Sequence, residues 1–302
     1  MEFDVVILGG GSAGYAAASS AQSHGAKVAI VEPGPLGGLC ILRGCMPTKT
    51  ILRSSDIISL MRRAEEFGLL PVEAGADLAS INDRKNLLIR EFTDYRVEQL
   101  KDPRFKLIQE KAEFISSNEV RVGTKTLKAN SFIIATGSVI TEYPIPGLKE
   151  TGYVTSDEVL TMRNTPESII VLGAGAVSVE LAQFFLRIGT KVTLIQRSSH
   201  ILSSGDEDLA HPVEDRFREE GMDLYTGTKI IKAIRGNNRS IIFFEHEGKE
   251  KRVEAEFIFQ GLGRRPNIDG LNLPAAGVTT DKGRVTVNPE MRTSQKNIFA
   301  VG

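Results

Sequence analysis

The hydrophobic pattern of this chain opens on a short apolar run that stops abruptly. Residues 3–8 (Phe-Asp-Val-Val-Ile-Leu) are almost continuously apolar, and Gly9-Gly10-Gly11-Ser12-Ala13-Gly14 follows at once. A run with so little polar alternation predicts a parallel strand buried on both faces. An Ala-rich helix to about His24 comes next. Gly25 ends it, and Lys27-Val28-Ala29-Ile30-Val31-Glu32 reads as a second strand. Helical spacing of Ile51, Leu52, Ile57, Ile58, Leu60 and Met61 predicts a helix from Thr48 to about Phe67, capped by Gly68. A second long helix is expected over 77–101, broken by Pro103. Short strands at 105–109, 112–116, 119–122 and 126–128 lead to a buried strand in 131–138 that ends in a small-residue turn. Tyr143-Pro144-Ile145-Pro146-Gly147 reads as a stiff crossover between domains.

At residue 169 the opening pattern returns. Ile169-Ile170-Val171-Leu172-Gly173-Ala174-Gly175-Ala176-Val177-Ser178 repeats residues 5–14, and without gaps Gly25 matches Gly189, Lys27 matches Lys191 and Glu32 matches Gln196. Ser178 stands where the third glycine would be. A helix over 206–220, strands around 229–234, 240–245 and 251–254, and a buried strand from 257 into a glycine turn complete the second half. The predicted fold is α/β: two Rossmann-like dinucleotide-binding domains, each three-layered around a parallel sheet. The first is discontinuous, 1–143 plus 272–302, and the second spans 144–271.

Each glycine loop carries a chemistry. Gly9 permits a tight turn, Gly11 lets backbone approach a pyrophosphate, and Gly14 lets helix and strand pack closely. The helix N-terminus offers unpaired N–H groups and a positive dipole end, and Glu32 can accept from both hydroxyls of a ribose. In the second copy Gln196 replaces that acid and Arg197 follows, which favours a 2′-phosphate and so NADPH over NADH. Arg264 and Arg265 read either as a phosphate clamp or as arginines capping a turn.

Between the first two predicted helices lies Gly37-Gly38-Leu39-Cys40-Ile41-Leu42-Arg43-Gly44-Cys45-Met46-Pro47-Thr48-Lys49, which holds both cysteines of the chain. A hairpin or a helix start would bring such residues within disulfide reach, and a helix start beside Cys45 would favour its thiolate. Two buried, reduced cysteines used for packing are the alternative. Zinc is not expected, because the nearest histidine in sequence is His24, and no metal is assigned. Glu180 sits among Val177, Val179, Leu181 and Ala182 and needs a partner.

Net charge is −1, which gives no reason to expect nucleic acid or an anionic membrane. No apolar run approaches the roughly 18 residues that span a bilayer. Glu2 and Asp4 stand where a signal peptide would be basic, so a cytoplasmic protein is expected.

In order, the motifs GGGSAG, GGLCILRGCMPTK, ATGS, PIPG, GAGAVSVE, GLGRRPN and TSQKNIFAVG resemble the class I pyridine nucleotide–disulfide oxidoreductases over the whole chain. That family includes dihydrolipoamide dehydrogenase, glutathione reductase and mercuric reductase. The resemblance implies FAD in the first site, NAD(P)H in the second, and electrons running from nicotinamide to flavin to a Cys40–Cys45 disulfide. It implies Cys45 as the thiol beside the flavin, Cys40 as the thiol that attacks substrate, and Lys49 beside the flavin, paired with Glu180. The implied cofactor contacts are Gly9, Gly11, Ser12, Ala13, Gly14, Glu32, Gly38, Leu39, Lys49, Ala112, Ala135, Thr136, Gly137 and Ser138 for FAD. Further implied cofactor contacts are Gly173, Gly175, Ala176, Val177, Glu180, Gln196, Arg197 and Gly263. The acceptor would be a small-molecule disulfide or a related species, with a dihydrolipoamide dehydrogenase-like or a mercuric reductase-like activity. A flavin-binding protein without turnover is the rival.

Two positions depart from the family pattern: Leu39 replaces a usual Thr and Leu42 a usual Asn. The resemblance also implies that this chain is the N-terminal portion of a longer, homodimeric protein. The family's C-terminal interface domain, with its His-Glu acid–base pair, would follow. None of His24, His200, His211 or His246 sits in a matching motif. The smaller thioredoxin reductase type is excluded, since it keeps a Cys-x-x-Cys in the second domain and none occurs here.

Overall fold

A computed structural model describes residues 1–70 and 72–302. The chain forms two compact units. One comprises Met1–Leu42, Leu88–Ile140 and Arg264–Gly302, the other Arg43–Leu87 and Thr141–Gly263. The changeovers thus fall at 140/141 and 263/264, and residues 43–87 cluster with the second unit. The reason is packing: Ile51, Ile58, Leu78 and Ile81 share one core with Leu181, Phe184 and Phe185.

In chain order the first half runs β1 (Glu2–Leu8), α1 (Ser12–Ser23), β2 (Val28–Val31), α2 (Gly38–Arg43), α3 (Cys45–Arg62) and α4 (Leu78–Leu100). Strands β3 (Phe105–Ile108), β4 (Ala112–Ser116), β5 (Glu119–Val122) and β6 (Lys125–Ile134) follow. In the first unit the sheet order is β3-β2-β1-β6-β5-β4. Strands β3, β2, β1 and β6 are parallel, while β4, β5 and the start of β6 are antiparallel.

The strands expected separately at 126–128 and 131–138 are one strand. β6 pairs with β1 over residues 128–134, from Glu2↔Lys128 to Leu8↔Ile134. Its other edge is shared: residues 125–128 bond β5, and 132–134 bond the strand Ile298–Ala300. Its burial alternates at first and becomes nearly continuous at the end, which is why one strand reads from sequence as two. Phe114 and Phe132, both fully buried, meet edge-on at 5.3 Å in the core of this unit.

The second unit holds a four-stranded parallel sheet in the order Asp223–Tyr225, Lys191–Ile195, Ser168–Leu172, Phe257–Gln260. The helices Ala176–Arg187 and Glu207–Glu219 belong to it, as does a three-stranded antiparallel sheet over 229–255. The expected helix 48–67 is shifted. α3 begins at Cys45, with Gly44 at the N-cap and Pro47 in the first turn, where its missing N–H costs nothing. It ends at Arg62, and a single 3₁₀ turn, Ala64–Phe67, closes at Gly68 with φ +72°. Among the described residues no helix is long and apolar enough to cross a membrane.

α3 packs on the helix Ala176–Arg187. Arg187, 14% exposed, bonds Asp56 of α3 at 2.7 Å and Glu220 with two N–H groups, at 3.0 and 3.1 Å. Burial pushes the Glu220 carboxyl up, but the hydrogen bonds and charges of Arg187 and Arg216 outweigh it and hold the group below its ordinary 4.5. A depressed carboxylate contributes stability that is fully present above the unfolded value and lost as pH falls through the folded one. Glu220→Gln is therefore expected to cost about 1–2 kcal/mol at pH 7. Thermal unfolding from pH 7 to 3 checks this: the gap to wild type should begin to close below pH 4.5.

Candidate functional site

The first glycine loop is built by close backbone approach. Gly9 leaves β1 at φ +113°, and a Cβ there would lie 2.3 Å from the Ala135 carbonyl oxygen. A Cβ on Gly14 would lie 1.9 Å from the Gly9 oxygen. α1 therefore begins hard against the strand ends, with Gly11 at its N-cap and no side-chain cap on its first N–H groups. An uncapped helix start of this kind is an anion-binding geometry. Glu32 accepts from the Gly10 N–H at 2.7 Å and from the Gly34 N–H at 2.9 Å, so its carboxylate closes the loop.

Gly38, at φ +76°, begins α2 directly on this loop: a Cβ on it would lie 2.4 Å from Gly11 Cα. Leu39 is half-buried, and the Leu42 side chain packs beside Gly37. Gly302 lies beside Ala13, and Ala112 opens the edge strand β4. The turn after β6 is tied to the later part of the unit. Asn267 donates its N–H to the Gly137 carbonyl at 2.9 Å and its side-chain amide to that of Thr136 at 3.4 Å. Arg264 donates to the hydroxyl and carbonyl of Ser138, both at 2.9 Å, and Arg265 pairs with Asp269 at 2.7 Å. Both arginines thus act here as turn-holding groups.

The second loop repeats the first with neutral chemistry. Gly173 leaves its strand at φ +87°, against the Gly261 carbonyl. The helix Ala176–Arg187 starts behind Gly175, again without a side-chain cap, and the Cβ position of Gly175 is open. The Ala174 N–H donates to Gln196 Oε1 at 3.1 Å, the same 22-residue link that joins Gly10 to Glu32. Gln196 is buried, and its Nε2 donates to Ser203 Oγ at 3.4 Å. Arg197 is exposed, Val177 is exposed at the helix start, and the space around the Gly263 Cβ position is open. Ser178 donates its hydroxyl to the Gly261 carbonyl at 3.1 Å, so the missing third glycine is replaced by a side chain with a bonding partner. This loop lock was not read from the sequence, although the Glu32–Gln196 match in the repeat points to it.

The cysteine stretch is helical on both sides of Gly44. Cys40, half-buried, lies in α2, and Cys45, exposed, is the first residue of α3. Lys49 stands one turn further along α3, and its ammonium pairs with Glu180. Arg43, between the cysteines, pairs with Asp157 at 3.4 Å. The second unit thus gathers Cys45, Lys49 and Glu180 on one pair of packed helices. The first gathers Gly9–Gly14, Glu32, Gly38 and the turn 135–138. Among the described residues no group of three or more His, Cys, Asp or Glu could hold a metal ion.

The chain is 35% identical over 303 residues to a mercuric reductase of Staphylococcus aureus, covering all of this chain and 55% of that protein. It is 33% identical over 306 residues to a dihydrolipoyl dehydrogenase of Acholeplasma laidlawii, covering 89% of it. The chain spans about half the length of the mercuric reductases it matches. Among solved structures it is similar to the HOCl-induced flavoprotein disulfide reductase RclA of Escherichia coli. The TM-score is 0.85 at 26% identity, over 99% of this chain and 65% of that one. The pyridine nucleotide-disulphide oxidoreductase family matches residues 3–302, and the chain belongs to that family.

Proposed function

We propose that this chain takes electrons from NAD(P)H through FAD to a Cys40–Cys45 disulfide and delivers them to a small disulfide or related acceptor. The observation that carries this reading is the contact of Gly38 with Gly11, which sets the start of the cysteine stretch on the first dinucleotide loop. Bound FAD would supply two-electron exchange between a hydride donor and a disulfide. The unit that carries the first glycine loop would hold it, and the unit that carries the second would hold the nicotinamide cofactor. The glycines whose Cβ would meet backbone, and the two uncapped helix starts, fit diphosphates at both loops.

Within this reading each side chain has a task. Cys40 attacks the acceptor, and Cys45, at a helix start, is held toward thiolate. Lys49 presents a cation that Glu180 keeps in place. Two electrons and one proton convert the disulfide to a Cys40 thiol and a Cys45 thiolate. The matching proteins support either a dihydrolipoamide dehydrogenase-like or a mercuric reductase-like acceptor. A homodimeric, cytoplasmic full-length protein fits the same family. Titration of the flavin-loaded full-length protein with NAD(P)H tests the reading: a long-wavelength absorbance band should rise at two-electron reduction, and its absence would sink the assignment.

NADPH is the favoured donor. The Gln196 amide is engaged at both ends by Ala174 and Ser203 and brings no charge near a 2′-phosphate, while Arg197 is exposed beside it. Arg197→Ala is expected to lower kcat/KM for NADPH by roughly tenfold, the worth of one charge-assisted contact, and to leave that for NADH nearly unchanged. Equal losses for both cofactors would remove this argument.

A further inference from the structure

We propose that Asp157 sets the charge environment of Cys45 by holding the Arg43 guanidinium, which makes Asp157 a positioning residue for that thiol. The inference rests on the redox reading of Cys40 and Cys45.

Asp157 is mounted firmly. Val154 joins the edge of the parallel sheet: its N–H donates to the Ile258 carbonyl, and its carbonyl accepts from the Gln260 N–H, both at 2.8 Å. A capping box follows at once. Thr155 Oγ1 accepts from the Asp157 N–H at 3.3 Å, and Glu158 accepts from the Thr155 N–H at 2.8 Å. The Asp157 backbone is therefore fixed to the sheet. Its Oδ2 faces Arg43 Nη1 at 3.4 Å, while its Oδ1 is buried without a hydrogen-bond partner.

Arg43 lies two residues before Cys45, so the two Cα atoms are at most about 7 Å apart. Across Gly44 it is the nearest cation in sequence to Cys45, and it is one helical turn after Cys40 in α2. Of the other charges on these elements of the second unit, Lys49 pairs with Glu180 and Arg163 with Asp83, while Glu158 accepts from the Thr155 N–H. The buried Lys85 donates to the Leu160 carbonyl, and Arg53 is exposed further along α3. Arg43 and Asp157 are thus a matched pair carried two residues before Cys45. An unneutralised guanidinium favours thiolate, and the carboxylate restrains that pull. A unit charge on a residue this close along the chain, partly exposed to solvent, changes an ionisation equilibrium by roughly a few fold.

The experiment uses reduced, full-length, flavin-loaded protein and follows iodoacetamide alkylation of Cys45 by peptide mass from pH 5 to 9. Asp157→Asn should raise the rate about threefold below the thiol midpoint and shift the profile to lower pH. Asp157→Glu should restore the wild-type profile. In an Arg43→Gln background, Asp157→Asn should change nothing. An equal rise in both backgrounds, or no shift in either, overturns the proposal. The absorbance band on two-electron reduction reports separately on the redox reading. Its loss with the alkylation coupling intact would overturn that reading alone.

Discussion

Cys45→Ser in the full-length protein is expected to abolish NAD(P)H-dependent reduction of lipoamide or any other disulfide acceptor, by a factor on the order of 10³ or more. Serine keeps the shape at the first position of α3 and cannot form the disulfide. Folding should be unaffected, because Cys45 is exposed and serine is tolerated at the first position of a helix that has Pro47 in its first turn. The same variant should still reduce an artificial one-electron dye within roughly threefold of wild type, since that route needs the two glycine loops and not the cysteines. The pair of assays separates the cysteine step from hydride delivery. A variant that keeps more than a tenth of its disulfide activity would remove Cys45 from the pathway. Parallel loss of both activities would instead point to damage at the first loop.

Much of this site was legible because its signals are local. A glycine at Gly9 or Gly173 marks a backbone approach that no side chain tolerates, and both bend at positive φ against a carbonyl oxygen of another strand end. That Glu180 needs a partner was legible from Val179 and Leu181 beside it, while Lys49 as that partner came from the family resemblance, and the two do pair. What stayed hidden depends on distant segments meeting. Residues 43–87 pack with 141–263 because Ile51, Ile58, Leu78 and Ile81 complete the core beneath Leu181 and Phe185, and periodicity alone names no partner. Asp157 looks like one more acid in a capping box until Arg43 is brought to it. The continuous β6 was split in two because its outer edge changes partner, from β5 to the strand Ile298–Ala300. Leu39 and Leu42, apolar where the family pattern is polar, lie half-buried around Gly37 and the start of α2.

Gly38→Ala is expected to strip the protein of flavin while leaving most of the fold in place. Two costs combine at this residue. Its φ of +76° is one that alanine adopts only at about 1–2 kcal/mol. The added Cβ would also lie 2.4 Å from Gly11 Cα, and backbone cannot swing aside as a long side chain can. The strain is relieved only by moving the loop that Gly9, Gly14 and Glu32 hold in place. Flavin retention through gel filtration should fall at least about tenfold, the equivalent of 1.4 kcal/mol in binding. The melting temperature should drop by roughly 5 °C. Gly25→Ala is the matched control. Gly25 has a similar φ of +82°, but nothing lies within 4 Å of its Cβ position. It should show the conformational cost in melting temperature and keep its flavin. If Gly25→Ala and Gly38→Ala retain flavin equally, the contact between the cysteine stretch and the first loop does not hold the cofactor, and the observation on which the proposed function rests loses its force.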